Sequence, residues 1–361
     1  MILLHNLNLE NLMMKKNILF IGGSLNQTTM MHQISQYFNE CECYFTSFYA
    51  SGAIDILVRK GYLNFTVLGG RFRAQTEQYF ATHHLKTDYQ AKNRTYDLVF
   101  TCQDVILPRN IRKSPIVLVQ EGMTEPENLV FHMVKLFSLP RWMAGTATTG
   151  LSNAYQLFFV ASEGYRDHFI SKGVNPDKIR VSGIPNFDCA SQYLQNDFPY
   201  SHFVLAATSD RRETMNYENR RKFIDKVLKI ANGRQVIFKL HPNENWERAT
   251  SEINRYAPGA LVFTDVNINP LIANCDVLVT LYSSVVYIGM ALGKEVYSDF
   301  SMEMLQKLTP IQNNGNSARE IAGITRQYLL DDHCVSEYNE PRTREHANKS
   351  VMSCTDLNYG S

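Results

Sequence analysis

Four short polar segments, each just after an apolar run, hold the side chains best suited to chemistry. The run Val236-Ile-Phe-Lys-Leu delivers His241-Pro242 at its carboxyl end, the edge at which open α/β sheets bind ligands. A histidine there can donate to a phosphate or act as an acid, and the proline fixes the turn that aims it. It can equally do no more than cap the strand. The run from Val277 leads into Tyr282-Ser283-Ser284, where the paired serines are expected to open a helix. Two hydroxyls beside free backbone N–H groups make a phosphate site, or in the plainer case an ordinary N-cap. Thr208-Ser-Asp210-Arg211-Arg212-Glu213 follows a third run. Its arginines suit an anionic donor group and its acids a cleft, unless the segment is simply a solvated turn. Glu121-Gly122 closes the fourth run, Ile116-Val-Leu-Val-Gln. A carboxylate at that edge suits a general base, or an acid where burial raises its pKa, and the glycine permits close approach.

The elements that must position these residues alternate. Asn17-Ile-Leu-Phe-Ile-Gly-Gly reads as a buried strand ending in a glycine turn, and the residues before it as an extension. Further strands are expected at Cys43–Phe48, Phe65–Leu68, Asp97–Thr101, Ile116–Gln120 and Leu157–Ala161, with helical spacing over Phe72–Tyr89. A helix over Glu163–Lys172 stops at Gly173, and Ile179–Ser182 is a short strand. A second series runs Phe203–Ala207, Val236–Leu240, Leu261–Phe263 and Val277–Thr280. Continuous apolar strands alternating with helices imply parallel sheets covered on both faces. The expected fold is α/β, with two Rossmann-like domains. Residues 1–14 form the extension, 15–195 the first domain with a polar linker over Gln192–Ser201, and 196–330 the second. From Asp331 to Ser361 the only Val, Ile, Leu, Met or Phe are Val335, Val351, Met352 and Leu357. That stretch reads as a disordered tail, or one foreign to the native protein.

The 361 residues suffice for two domains of ordinary size, and a formal charge of +1 supplies no global field for a nucleic-acid backbone. Seven cysteines, at 41, 43, 102, 189, 275, 334 and 354, include no CxxC pair, so neither a disulfide framework nor a zinc site is expected. Gly22-Gly23-Ser24 is a close-approach loop without GxGxxG spacing, and no P-loop, HExxH, GxSxG or DxD motif occurs. Metal dependence is not indicated. The absence of a secretory signal and of a long apolar run reads as a soluble, cytoplasmic chain. His83-His84 are expected on an exposed helical surface, and the aromatics between Tyr37 and Tyr49 in the core. Glu125 and Glu127 read as the acidic first turn of a helix.

The order of these segments resembles the GT-B superfamily, over roughly residues 15–330. Val119-Gln-Glu121-Gly122, Gly183-Ile-Pro-Asn-Phe-Asp188, the Arg211-Arg212-Glu213 segment and His241-Pro242-Asn243 loosely match motifs of the non-hydrolysing UDP-GlcNAc 2-epimerases. Those enzymes follow their phosphate loop with a ribose-holding glutamate pair, and here no acid follows Ser284 before Glu295. The HP turn, the Ser-Ser pair and an acid before glycine are more similar to bacterial sialyl-, polysialyl- and Kdo-transferases that use CMP-sugars. CDP-glycerol polymer transferases share two of these elements.

That resemblance implies two Rossmann-like domains facing across a cleft and a metal-independent glycosyltransferase of bacterial surface polysaccharide, O-antigen or capsule. Glu121 would be the acceptor base. Arg211, Arg212, His241, Pro242, Tyr282, Ser283 and Ser284 would hold a nucleotide-sugar, expected to be CMP-linked Kdo or a related acid sugar. Asp210 would be the carboxylate of a retaining mechanism. No further cofactor is expected. The implied partners are a glycan or lipid-linked acceptor and, peripherally, membrane-bound glycan assembly proteins at the inner face of the cytoplasmic membrane. A sugar-nucleotide epimerase and a non-catalytic scaffold are the alternatives.

Overall fold

The computed structural model describes residues 16–64, 66–213 and 217–339, with side chains to residue 330. The expected N-terminal extension over 1–14 therefore lies outside the described residues. Two all-parallel sheets organise the chain. The first has strand order β2-β1-β3-β4-β5-β6, built from β1 (Asn17–Gly22), β2 (Glu42–Ser47), β3 (Leu98–Thr101), β4 (Ile116–Val119), β5 (Leu157–Val160) and β6 (Ile179–Val181). The second has order β11-β10-β7-β8-β9, from β7 (Val204–Ala207), β8 (Val236–Lys239), β9 (Leu261–Phe263), β10 (Val277–Thr280) and β11 (Glu295–Tyr297).

The central strands are buried along their whole length, which is why they read as unbroken apolar runs. In the second sheet the two faces separate by alternation. Val204, Ala206, Val277 and Val279 pack with Phe223, Ile224 and Val227 of α6 (Arg220–Ala231) and Ala249 and Ile253 of α7 (Trp246–Tyr256). Leu205, Ala207 and Leu278 join the core that also fills the first domain. In that domain the Phe20 ring stacks on Phe100 at 4.9 Å and on Phe45 at 5.4 Å, placing the aromatics of the 37–49 region largely in the core as expected.

Most strands fall within a residue or two of their expected bounds, with two exceptions. Thr66–Leu68 is a turn rather than a strand, held by the Thr66 hydroxyl donating to the Leu63 carbonyl; Phe65 lies outside the described residues. β11 was not expected from the sequence, because Glu-Val-Tyr is short and polar at its start. The helical stretch after Phe72 is α3 (Gly70–Thr82), which stops at His83, and both His83 and His84 are exposed. α5 (Glu163–Lys172) ends at a left-handed Gly173 with φ of 105°, as the glycine stop requires.

The two domains are fastened at several points. Gly164 lacks the Cβ that would strike the Lys307 carbonyl, so α5 comes close to the end of α10 (Met302–Lys307). The buried Tyr165 and Tyr287 hydroxyls meet at 3.0 Å. After the second sheet the chain returns: the Ile311 N–H donates to the Ala161 carbonyl, and Asp188 accepts from the Ser317 N–H at 2.9 Å. That contact starts α11 (Ser317–Asn339), which packs on α1 (Leu25–Ser35) and joins Arg326 to Glu40 at 2.7 Å. The last helix therefore leans on the first domain, although the sequence assigned its span to the second. Its backbone also stays helical past Asp331 to Asn339, within the span read as a tail; residues 340–361 lie outside the described residues.

Candidate active site

In each sheet the strand order reverses beside the first strand of its series, between β1 and β3 and between β7 and β10. Ligand crevices of open α/β sheets open at the carboxyl side of such points. In the first domain, β1 ends in Gly22-Gly23 and Ser24 caps α1, its hydroxyl accepting from the Gln27 N–H at 3.2 Å. A Cβ on Gly22 would lie 2.6 Å from the Thr28 hydroxyl, so the loop glycines let the helix sit tightly on the strand. The Glu121 carboxylate reaches this helix start. Ser24 Oγ donates to it at 2.8 Å and Gln27 Nε2 at 2.5 Å. Burial raises the Glu121 pKa, and the two donors oppose that rise. Such a carboxylate is oriented, partly desolvated and able to take a proton. Glu125 and Glu127 precede α4 (Leu129–Phe137) instead of forming its first turn; Asn128 is the cap, and Glu125 accepts from the Thr146 N–H.

In the second domain, Thr208 directly follows β7 and His241 lies two residues past the end of β8. The His241 N–H donates to Thr208 Oγ at 2.9 Å, and that hydroxyl donates to Glu244 at 2.6 Å. The Asn243 N–H donates to His241 Nδ1 at 3.2 Å, which assigns the imidazole proton to Nε2. Asp210 lies 3.6 Å from the same nitrogen and accepts from the Asn243 amide at 3.1 Å, so it braces the HPN turn. Burial lowers the His241 pKa more than Asp210 raises it. The ring is therefore a neutral donor through Nε2. Nitrogen-15 spectra are expected to show Nδ1 unprotonated at neutral pH and titration below the ordinary histidine value; a doubly protonated ring at neutral pH would overturn this assignment.

The arginine pair divides. Arg212 pairs with Glu244 at 3.2 Å and Glu252 at 2.9 Å and is largely buried, so it anchors the segment rather than presenting itself to the cleft. The Arg211 guanidinium lies over the Tyr282 ring at 4.9 Å, and Tyr282 is exposed. The serines also depart from expectation. β10 stops at Thr280, and the helix that follows, α9 (Val286–Ala291), has only six residues and no side-chain cap. Ser283 and Ser284 form the approach to it, and their hydroxyls are not spent on capping. Ser284 faces the first domain: a Cβ placed on Gly122 would lie 3.7 Å from both its Cβ and its Oγ.

Pro242 completes the closure, its carbonyl accepting from Arg71 Nη1 of α3 at 2.5 Å. Glu121-Gly122, Ser284 and the HP turn thus line facing edges of the two domains. No family model matches the chain, and no curated protein matches it in sequence. Solved structures do match in shape. A UDP-GlcNAc 2-epimerase from Neisseria meningitidis bound to UDP-GlcNAc superposes with a TM-score of 0.54 at 14% identity, over 87% of this chain and 100% of that one. A second UDP-N-acetylglucosamine 2-epimerase gives 0.53 at 14%, over 92% and 99%. A Listeria monocytogenes protein given as a candidate enzyme of the same kind gives 0.55 at 13%, over 88% and 97%. The fold is GT-B.

Several residues at these facing edges went unread in the sequence. Gln27 and Arg71 are polar residues on helices, with nothing in their spacing to mark them, whereas Asn243 was legible as part of the HPN segment. Ser24 was noted only for its loop, although an N-cap serine beside a strand end carries a hydroxyl toward the sheet edge.

Proposed function

We propose that this chain is a nucleotide-sugar glycosyltransferase that uses Glu121 as the base for an acceptor hydroxyl. The observation that carries the reading is the Glu121 carboxylate, fixed by Ser24 and Gln27 on one edge, with Gly122 facing Ser284 on the other. The acceptor O–H gives its proton to Glu121 while its oxygen bonds to the anomeric carbon of the donor. The bond from that carbon to the phosphate oxygen breaks, and the nucleotide leaves with the electron pair. The Nε2–H of His241, with the hydroxyls of Ser283 and Ser284, stabilises the charge that builds on the departing phosphate. Arg211 on Tyr282 offers a cationic and aromatic wall to the donor. Asp210 serves as a positioning group for the HPN turn, a role its contacts support better than attack on the sugar. The donor is expected to be a CMP-linked acid sugar such as Kdo, on the strength of the HP, Ser-Ser and acid-Gly resemblance, and the acceptor a surface-polysaccharide hydroxyl.

The similarity in shape to UDP-GlcNAc 2-epimerases favours a second reading, a sugar-nucleotide epimerase. Against it, no acid occupies 282–291, and Glu295 pairs with Val277 at the amino end of its strand, away from the cleft edge. Calorimetric titration with CMP, CDP and UDP, repeated on Ser284→Ala, tests both. Preferential CMP binding weakened about tenfold, the loss of roughly one phosphate hydrogen bond to a charged group, is the expected result. Preference for UDP would favour the epimerase, and no binding would favour a scaffold.

A further inference from the structure

α4 is far more apolar on its outer face than a monomer's surface helix need be. Leu129, Val130, Met133, Leu136 and Phe137 are all exposed, Leu136 and Leu129 by about three quarters, and Trp142 and Met143 extend the surface just beyond the helix. Seven large hydrophobic side chains within fifteen residues are exposed, a density that marks an interaction site. Beneath the helix lies a cavity of about 510 Å³. Its lining includes three cations, Lys135, Arg141 and Lys172, and no acid.

Lys172 is the second, independent observation. Its residue is 1% exposed, and its ammonium makes no hydrogen bond. It rests between the faces of Phe131 and Phe169, at 5.7 and 5.4 Å from their centroids. Burial pulls its pKa down to about 8, so at neutral pH it remains largely charged. Lys135 spends one proton on the Lys172 carbonyl, and Arg141 pairs with Asp104 at 3.3 Å, so both are held at the rim by the fold. A buried ammonium without a hydrogen-bonding partner is costly, and an anion entering beside it would remove that cost.

We propose that α4 and the cavity beneath it dock the protein on an anionic membrane, with the apolar side chains in the bilayer interface and a lipid phosphate reaching Lys172. The occupant is argued from complementarity on both counts: an amphiphile with an anionic head matches cations in a pocket beneath a helix whose outer face exposes Leu, Val, Met and Phe. This inference uses no part of the proposed reaction. The chain needs no spanning segment for it, and among the described residues no helix is long and apolar enough to cross a membrane.

The test is co-sedimentation of the purified full-length chain with vesicles of phosphatidylcholine alone or doped with phosphatidylglycerol. The parent is expected to partition onto the doped vesicles only. Leu136→Ser with Phe137→Ser should weaken partitioning by about a hundredfold, from the loss of two inserted side chains. Lys172→Met, which fills the same space without the charge, should weaken it by about fivefold, the worth of one basic contact. Unchanged circular dichroism checks the fold of each variant. Equal binding to both vesicle types, or no binding to either, would overturn the proposal. So would calorimetric binding of inorganic phosphate that Lys172→Met abolishes in a chain ignoring vesicles, which would mark a soluble-phosphate site. A dimer that the Leu136→Ser, Phe137→Ser variant dissociates, without vesicle binding, would show that the face meets a second copy.

Discussion

Glu121→Gln is expected to lower the transfer rate by about 10²–10⁴-fold, the usual worth of a positioned base, while leaving nucleotide affinity within about twofold. The split follows from where the residue sits. Its carboxylate is tied to Ser24 and Gln27 of the first domain, whereas the groups proposed to hold the nucleotide come from the second. The base must be ionised to accept a proton, so the parent's rate should fall on acidification with a midpoint above the ordinary glutamate value, because burial raises this pKa. The stability effect has the opposite sign. A carboxyl whose folded pKa exceeds its unfolded value supports the fold fully only below the unfolded value, and that contribution declines as pH rises through the folded one. At neutral pH the ionised Glu121 is therefore a cost, and the neutral amide, which can still accept from Ser24, should give a Tm at or above the parent's. Loss of rate with a lower Tm would mean that Glu121 is structural. Retention of rate would remove it from the mechanism.

The sequence made the architecture legible because both sheets are covered on both faces. Strands such as Leu98–Thr101 and Val277–Thr280 have no solvent side, so their sequences are unbroken apolar runs between polar turns. The residues at the carboxyl ends of those runs were legible for the same reason: Glu121, His241 and Ser284 each stand where a buried strand meets the cleft. Side chains that arrive from elsewhere were not. Gln27 and Arg71 lie on helices whose spacing reports only which face is buried, and their reach to Glu121 and Pro242 is settled by how the helices pack. Arg211 and Arg212 show the limit most sharply. Adjacent in the chain and identical in type, they part because Glu244 and Glu252 stand behind one and Tyr282 beside the other.

Glu244→Ala is expected to cost about 3–5 kcal/mol of folding stability, the range for removing one partner of a buried ion pair. The Glu244 side chain is fully buried and accepts from Arg212, Arg220 and Thr208 together. Arg220 is itself almost completely buried, and although it keeps Glu218 at 2.7 Å, it would be left with a charge only partly compensated. Arg212 would keep Glu252, which places the expected loss toward the lower end of that range. Denaturant titration reads it as a fall in midpoint at constant slope, and an unfolding free energy within about 1 kcal/mol of the parent's would show that solvent enters the network and screens it. The same substitution carries a functional signature. Thr208 Oγ accepts the His241 N–H while donating to Glu244, so losing the acid frees the hydroxyl to rotate and slackens the turn that aims the imidazole. Nucleotide affinity should therefore fall along with stability. Thr208→Val separates the two effects: it removes the hydroxyl link but leaves both arginine pairs, so it should weaken the nucleotide while costing far less stability. If Thr208→Val leaves affinity unchanged, the buried network supports the fold alone, and the orientation of His241 rests on Asn243 and Asp210.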